Sequence, residues 1–469
     1  MRYCGIDFGT SNSSAALVEN DSARVLDLDP RNDAPTSLPS LLYITKERKY
    51  IVGRAAANAF IERNVDREVL LKRIDLETAI EAYVASEPDK SDAYRPREDM
   101  GEVRDAVRAS AVVEVNSPGR LFQSLKSSLR FANFRGTEVF GRRYQITELI
   151  SLVLRRIKRS VDEAAGESVE GAVMGRPVRF SASDEENALA EKRLRAAAEM
   201  AGFKDVAFFY EPVAACIEYA AGTVRRQRLM VVDIGGGTCD VCVMEFGGSQ
   251  GVRARLAESV ILSVAGVPVA GDAIDREIIR ARIFPRLGSR SRYGPSNLPM
   301  PQYVYNAIAD WQNLYRMNTE EVIHWLIATE ASSTDPAGIR ALRTLIQRNY
   351  GYPVAREVEA AKKRLSSVET TNIEIRNAFL EIEDRLERTE FAHIIEGELA
   401  KMQESILDAE KLAGVRPDQI DCVLTTGGTS LIPAVRQMLE DRYGRDRLLQ
   451  RDTFTSVATG LAIVAQYAE

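Results

Sequence analysis

Residues 231–243 read VVDIGGGTCDVCV, and the fold turns on how they are read. An apolar, β-branched run ends at Asp233. Gly235, Gly236 and Gly237 follow with Thr238, and a second apolar run carries Asp240. Such runs bounded by glycine predict strand, tight turn, strand. Three adjacent glycines are costly, because glycine loses the most conformational freedom on folding. A turn whose backbone must come very close to a polyphosphate justifies them, since successive backbone N–H groups make an anion cradle. An ordinary hairpin turn is the other reading of this stretch taken alone.

The N-terminus repeats the pattern. Residues 5–18, GIDFGTSNSSAALV, give a strand with Asp7, a turn of Gly9, Thr10, Ser11 and Asn12, and a second strand. Asp7 and Asp233 lie 226 positions apart. A duplication at that spacing predicts paired domains rather than a solenoid. A third turn, Gly427, Gly428 and Thr429, follows the β-type run 423–426. Helical patterns interleave with these strands: 53–64, 121–131 (which holds Lys126), 147–165, 182–201, 213–221, 354–365, 391–413 and 454–468. The 147–165 stretch aligns Ile150, Val153, Leu154, Ile157 and Val161 on one face. Residues 284–350 read as a mostly helical insert with both tryptophans, Trp311 and Trp325. The polar stretch 87–100 reads as a loose loop. Alternation throughout gives an α/β class.

Composition narrows the function. At 45% hydrophobic and 28% charged, the chain of 469 residues can bury large cores. A net charge of −6 gives no global attraction to nucleic acid or to an anionic membrane. No run reaches the roughly 18 apolar residues of a membrane span. The odd, scattered set Cys4, Cys216, Cys239, Cys242 and Cys422 argues for a reducing compartment, and the whole points to a cytoplasmic protein. Cys239 and Cys242 sit three apart on a strand, hence on opposite faces, with no second pair to complete a metal site.

The chemistry follows from the turns. Asp7 and Asp233 stand at strand ends that face a crevice. Carboxylates bordering a polyphosphate need a cation between them, which implies Mg²⁺. That ion keeps several of its waters, so Asp7 and Asp233 are expected to hold it through water. Glu211, just before Pro212, is placed to orient an attacking water. No P-loop G-x-x-x-x-G-K-[ST] is present, and no G-x-G-x-x-G follows a strand.

Seven stretches in order, GIDFGTSNS, EPVAACIEYA, VVDIGGGTCDV, AGDAIDREI, EVEAAKKRLSS, LTTGGTSLIPAV and SVATGLA, resemble the nucleotide-binding domain of the seventy-kilodalton heat-shock chaperone family. That family belongs to the actin-like ATPase superfamily. The resemblance spans nearly the whole chain except about 65–118 and 284–350. It implies a ribonuclease H-like fold of two lobes around a nucleotide cleft. Lobe I would be 1–225 completed by a C-terminal helix at 452–469, and lobe II 226–451 with the helical insert; no peptide-binding domain is expected. By the same resemblance Asp7, Glu211, Asp233, Thr238 and Asp240 would be catalytic. Gly9, Thr10, Ser11, Asn12, Gly235, Gly236 and Gly237 would hold the phosphates of ATP or ADP. Gly271 would lie beside the ribose, and Glu359, Lys362, Ser366, Gly427, Gly428 and Thr429 would hold the adenosine.

One departure shapes the functional expectation. In VGRAAA (52–57), Ala57 stands where the resemblance places a catalytic lysine. Without that point charge hydrolysis should be weak, unless Arg54, Lys72 or Lys126 compensates. The expected function is a chaperone-like, slow Mg-dependent ATPase that switches conformation for a protein partner or client, with a co-chaperone as a possible further partner, acting as a monomer or weak oligomer. An ATP sensor or scaffold with little hydrolysis, a filament-forming actin-like protein and a small-molecule kinase are the other readings.

Overall fold

The computed structural model describes residues 2–19, 22–81, 106–223, 225–249, 252–450 and 455–466; the polar stretch 87–100 lies outside them. Two mixed sheets dominate. The first contains β1 (Tyr3–Phe8), β2 (Asn12–Glu19), β3 (Ser22–Val25), β4 (Gly171–Arg176) and β5 (Asp205–Tyr210), in the order β5-β4-β1-β2-β3, with Leu38–Pro39 added beside β2. The second contains β6 (Gln227–Ile234), β7 (Cys239–Phe246), β8 (Val260–Val267), β9 (Cys422–Thr426) and β10 (Leu448–Gln450), in the order β10-β9-β6-β7-β8.

These orders are one topology used twice. In each sheet the opening strand pairs antiparallel with its hairpin partner on one side and parallel with a later strand on the other. The registers also match. Asp7 faces Ser14 across the first hairpin, and Asp233 faces Asp240 across the second, each pair enclosing a turn of the same length. The long-period repeat in the sequence is therefore a repeat of structure.

Helices cover both faces of each sheet, because the central strands are buried on both sides. Helices α1 (Ile146–Ala165) and α2 (Asp184–Ala201) pack on the outer face of the first sheet, against Ile6, Phe8 and Leu17. Ser183 caps α2, and Gly202 ends it at φ 110°. Helix α3 (Glu211–Ala221), opened by Pro212, and α7 (Ser456–Ala465) lie between the sheets and share one core with Val173 of the first and Val231, Cys242 and Leu424 of the second. The contact is close. A Cβ on Gly460 would stand 1.8 Å from the Ala214 carbonyl oxygen, and one on Gly5 would stand 2.2 Å from the Ala462 nitrogen. Helices α4 (Gly271–Ile278), α5 (Gly351–Leu365) and α6 (Glu396–Ala413) sit on the far side of the second sheet, in a core with Val232, Cys239 and Val241. Cys239 and Cys242 thus fall in different cores, as strand alternation requires. All five cysteines are buried and unbridged.

Above the cleft, strands Leu42–Thr45, Tyr50–Val52 and Gly119–Phe122 form a small sheet carrying helix Arg54–Asn64. Opposite them, helices Gln302–Ala309, Glu320–Ser332 and Pro336–Gln347 build the insert. Some expected elements differ. Residues 121–131 are not one helix: strand Gly119–Phe122 ends, Ser124 turns left-handed at φ 55°, and a 3₁₀ turn Leu125–Arg130 follows. The long helix at 391–413 is two, Arg388–Ile394 and α6, because Ile395 leaves the helical range at ψ 7°. The hairpin Thr370–Asn377 with Leu380–Glu387 has a second strand that charge density hid, since every other residue on it is an exposed polar one. Among the described residues, no helix is long and apolar enough to cross a membrane.

Candidate functional site

A cleft of about 700 Å³ opens between the two sheets at the ends of β1 and β6. Asp7, Gly9, Thr10, Ser11 and Asn12 line it from the first turn. Asp233, Gly235, Gly236, Gly237 and Thr238 line it from the second, with Glu211 between them. Gly271, Glu359, Lys362, Ser366, Gly427, Gly428 and Thr429 complete the far wall. Of the catalytic and nucleotide-binding residues expected from sequence, Asp240 alone does not reach the cleft surface. Its carboxylate is turned inward, where Oδ1 accepts the Val178 N–H at 2.7 Å.

The two glycine turns face each other. A Cβ on Gly236 would stand 2.0 Å from Ser11 Oγ, and one on Gly237 would stand 2.7 Å from Thr10 Oγ1. A side chain there would push the Thr10 and Ser11 hydroxyls out from between the turns, which is the physical reason for glycine at both positions. Gly427 holds φ 78° and brings its backbone against Ile234 and Asp233, so the third turn closes on the second. Thr429 Oγ1 donates to the Gly235 carbonyl at 2.7 Å, and the Asp272 N–H donates to the Gly236 carbonyl at 2.8 Å. The second turn is therefore held from two sides, and the Gly235 N–H closes it on the Thr238 carbonyl at 3.0 Å.

Charge is concentrated at the floor. Lys126 Nζ donates to Glu211 Oε1 at 2.6 Å, with both side chains nearly inaccessible. Burial opposes the lysine's charge, but Glu211 and Asp7 outweigh it and hold the ammonium above its ordinary value. Burial, with Glu211 adding and Lys126 opposing, pushes Asp7 up to about 7. Burial and Glu211 push Asp240 up to about 7 as well, against its bonds from Thr238 and the Val178 N–H. Asp233 is raised well above the carboxylate range by burial first, then by Glu211, Asp7 and Asp240. Several buried carboxylates thus share one lysine. Such a donor set holds its protons until a further cation enters, so the residues present fit a divalent ion. Asp240 Oδ2 is moreover buried without a hydrogen-bond partner. Among the described residues no cluster of three or more His, Cys, Asp or Glu is arranged to grip a metal directly.

Ala57 lies on the apolar face of helix Arg54–Asn64, in a small core with Leu41, Tyr43 and Phe60, and does not line the cleft. Of the three basic residues that could stand in for a lysine at that position, Arg54 and Lys126 line the cleft and Lys72 does not. Lys126 is carried inward by the 3₁₀ turn after Ser124. No local signal in the sequence distinguishes it from the other two.

On the far wall, Lys362 Nζ donates to the Gly271 carbonyl at 3.1 Å and to Asp275 Oδ2 at 2.8 Å. This fixes α5 to the start of α4. Glu359, one helical turn before Lys362, is held below its ordinary range: burial raises it, but Lys363 and Lys362 prevail. Asp272 and Ser124 were not anticipated. Ser124 Oγ donates to Asp272 Oδ2 at 3.0 Å, a bond that spans the cleft.

A family model described as Hsp70 protein matches residues 131–259 and 345–468, more than half of the chain. The chain belongs to the Hsp70 family. Its two-fold sheet topology is the actin-like ATPase fold of that family. It is 24% identical over 468 residues to the chaperone protein DnaK of Akkermansia muciniphila, an alignment covering 98% of this chain and 58% of that protein. It is 23% identical over 472 residues to the chaperone protein dnaK1 of a Nostoc species, covering 99% and 54%. A third relative, chaperone protein DnaK 1 of a Synechococcus species, is 24% identical with coverages of 99% and 50%. The chain spans about half the length of the curated relatives it matches. The family match skips 260–344, which holds most of the helical insert and both tryptophans.

Proposed function

We propose that this Hsp70-family chain binds Mg-ATP in the cleft, hydrolyses it slowly to ADP and phosphate, and uses the nucleotide state to present different surfaces to a protein partner. The observation that carries the reading is the apposition of the two glycine turns over a floor of buried carboxylates and one lysine. Thr10, Ser11 and the N–H groups of Gly236 and Gly237 receive phosphate oxygens, the Gly235 N–H being given to the Thr238 carbonyl. Asp7 and Asp233 hold the cation through its waters, and Thr238 keeps Asp240 oriented. Mg²⁺, when bound, neutralises phosphate charge. Lys126 brings a fixed positive charge to the phosphate end. Glu211, paired with it, accepts a hydrogen bond from the attacking water and orients it. Glu359, Lys362, Ser366, Gly271 and the turn 427–429 take the nucleoside. Hydrolysis needs only such alignment and charge.

The second reading is an ATP sensor with little hydrolysis: Ala57 leaves the motif position without its lysine, while the buried Lys126–Glu211 pair at the cleft floor favours turnover. The test is thermal unfolding with and without millimolar Mg-ATP. The melting temperature should rise for the parent and not for Asp233→Ala. A parent protein that does not shift would overturn the site. Size-exclusion chromatography in ATP and in ADP separates a switch, which stays the same size, from a filament.

A further inference from the structure

Helix α5 presents its cleft-facing residues in one row. Lys362 stands beside Gly271 and the third glycine turn, and Glu359 lies one helical turn before it. Arg356 comes three residues earlier again, about 4.5 Å further along the axis, and also lines the cleft. The nucleoside reading uses this row only as far as Glu359 and leaves Arg356 over. Glu359 is taken by Lys363 at 2.6 Å. Among the described residues the half-buried Arg356 side chain has neither an ion-pair partner nor a hydrogen bond.

A second guanidinium comes from the opposite side. Asp29 Oδ2 accepts the Arg54 N–H at 2.7 Å, which fixes the start of helix Arg54–Asn64 at the cleft edge. The Arg54 side chain has only Asp33, at 3.5 Å, and the Asp33 side chain is 95% exposed. So exposed a pair holds Arg54 weakly. Asp310, beside Trp311, is engaged by Asn313 Nδ2.

Both guanidiniums act on the Tyr352 hydroxyl. Burial pushes this phenol up to about 12, while Arg356 and Arg54 pull it down. It is therefore neutral and a hydrogen-bond donor, and among the described residues its hydroxyl has no partner. The Tyr352 ring packs on Trp311 at 4.9 Å, and both rings line the same wall. Three donors thus face the outer cleft, two of them permanent charges, while the nearby carboxylates are engaged elsewhere or loosely held. Arginine forks match the oxygens of a phosphate. The group next outward from a ribose held at Glu359 is an oxygen of its hydroxyl edge, and the anion such an oxygen carries is a phosphate ester.

We propose that Arg54, Arg356 and the Tyr352 hydroxyl form a second phosphate subsite beside the ribose, and that the cleft prefers adenine nucleotides carrying a further phosphate on the 2′ or 3′ oxygen. The proposal rests on the nucleotide reading of the cleft. Arg54 and Trp311 lie outside the residues that the family match covers, so the subsite draws on parts of the chain beyond the matched core.

The experiment is isothermal titration of the full chain, with Mg²⁺, using ADP, ADP 3′-phosphate and ADP 2′-phosphate. One of the two phosphorylated forms should bind the parent about tenfold more tightly than ADP, and the form that does so identifies the oxygen. Arg356→Gln should bind ADP as the parent does and lose that preference. Arg54→Gln should reduce the preference in the same direction, so either variant alone suffices if the other does not fold. ADP binding with no gain from either added phosphate overturns the subsite and leaves the nucleotide reading standing. A preference that survives in the variants overturns the assignment to these arginines. Failure of ADP itself to bind the parent overturns the nucleotide reading and the subsite with it.

Discussion

Replacing Lys126 by methionine removes one charge and keeps the length of the stem. In the parent, the ammonium sits 2.6 Å from Glu211 Oε1 in a site that neither side chain shares appreciably with water. Breaking a buried pair by deleting one partner costs roughly 3–5 kcal/mol, because the other charge is left uncompensated. Here the cost depends on pH. Asp7 and Asp240 already titrate near 7, and loss of the lysine moves them higher. At pH 6 these carboxylates are mostly protonated and the variant has little excess charge to bury. At pH 8 they are ionised or are forced to take up protons against the solution, and the full cost appears. Urea unfolding of Lys126→Met should therefore show a small loss at pH 6 and the larger one at pH 8. ATP turnover should fall by about 10²–10³, the usual cost of deleting one aimed charge or donor from a reacting site. The Mg-ATP shift in melting temperature should persist, since the glycine turns remain. Turnover within twofold of the parent, or equal destabilisation at both pH values, would refute the assignment of Lys126 to the phosphate end.

The parent itself should respond to pH in the same direction. Asp7 and Asp240 have folded pKa values near 7 against an ordinary 3.8, so between these limits the folded state holds more protons than the unfolded one. Stability of the ligand-free protein then falls as pH rises through that window, and Mg-ADP, by replacing protons, should raise the melting temperature more at pH 8 than at pH 6. Gly236→Ala should leave the fold intact and abolish that nucleotide shift, because its Cβ meets only the movable Ser11 hydroxyl within 3 Å yet fills the phosphate cradle. Gly460→Ala should do the reverse. Its Cβ meets the Ala214 carbonyl at 1.8 Å, so the α3–α7 contact must part, at a cost of about 1–3 kcal/mol in chemical unfolding or more.

What could be read in the sequence was what local rules dictate. Glycine turns and strand-end aspartates announce themselves, and all three turns were legible for that reason, whereas Glu359, Lys362 and Ser366 were reached only through the family resemblance. Lys126 was not singled out because its role is made by tertiary approach. Ser124 breaks the expected helix, and the lysine then meets a glutamate 85 positions away. Ala57 shows the converse. A short motif placed it at the phosphates, but Ala56, Ala57, Ala59 and Phe60 form the buried face of one helix, and that face packs on Tyr43 and Tyr352. Helical periodicity, read there before the motif, would have placed Ala57 in a core.

The duplicated hairpins explain why the cleft is lopsided in charge. The two registers superimpose, yet Asp7 faces a serine where Asp233 faces an aspartate. Ser14 brings no charge to its half. Asp240 brings a full carboxylate and uses it to take the Val178 N–H, a group of the other half that follows β4. One difference within a repeated unit thus adds a buried carboxylate beneath the cleft and ties the two halves together there, because the group that sets Asp240 apart from Ser14 is the group that takes the Val178 N–H.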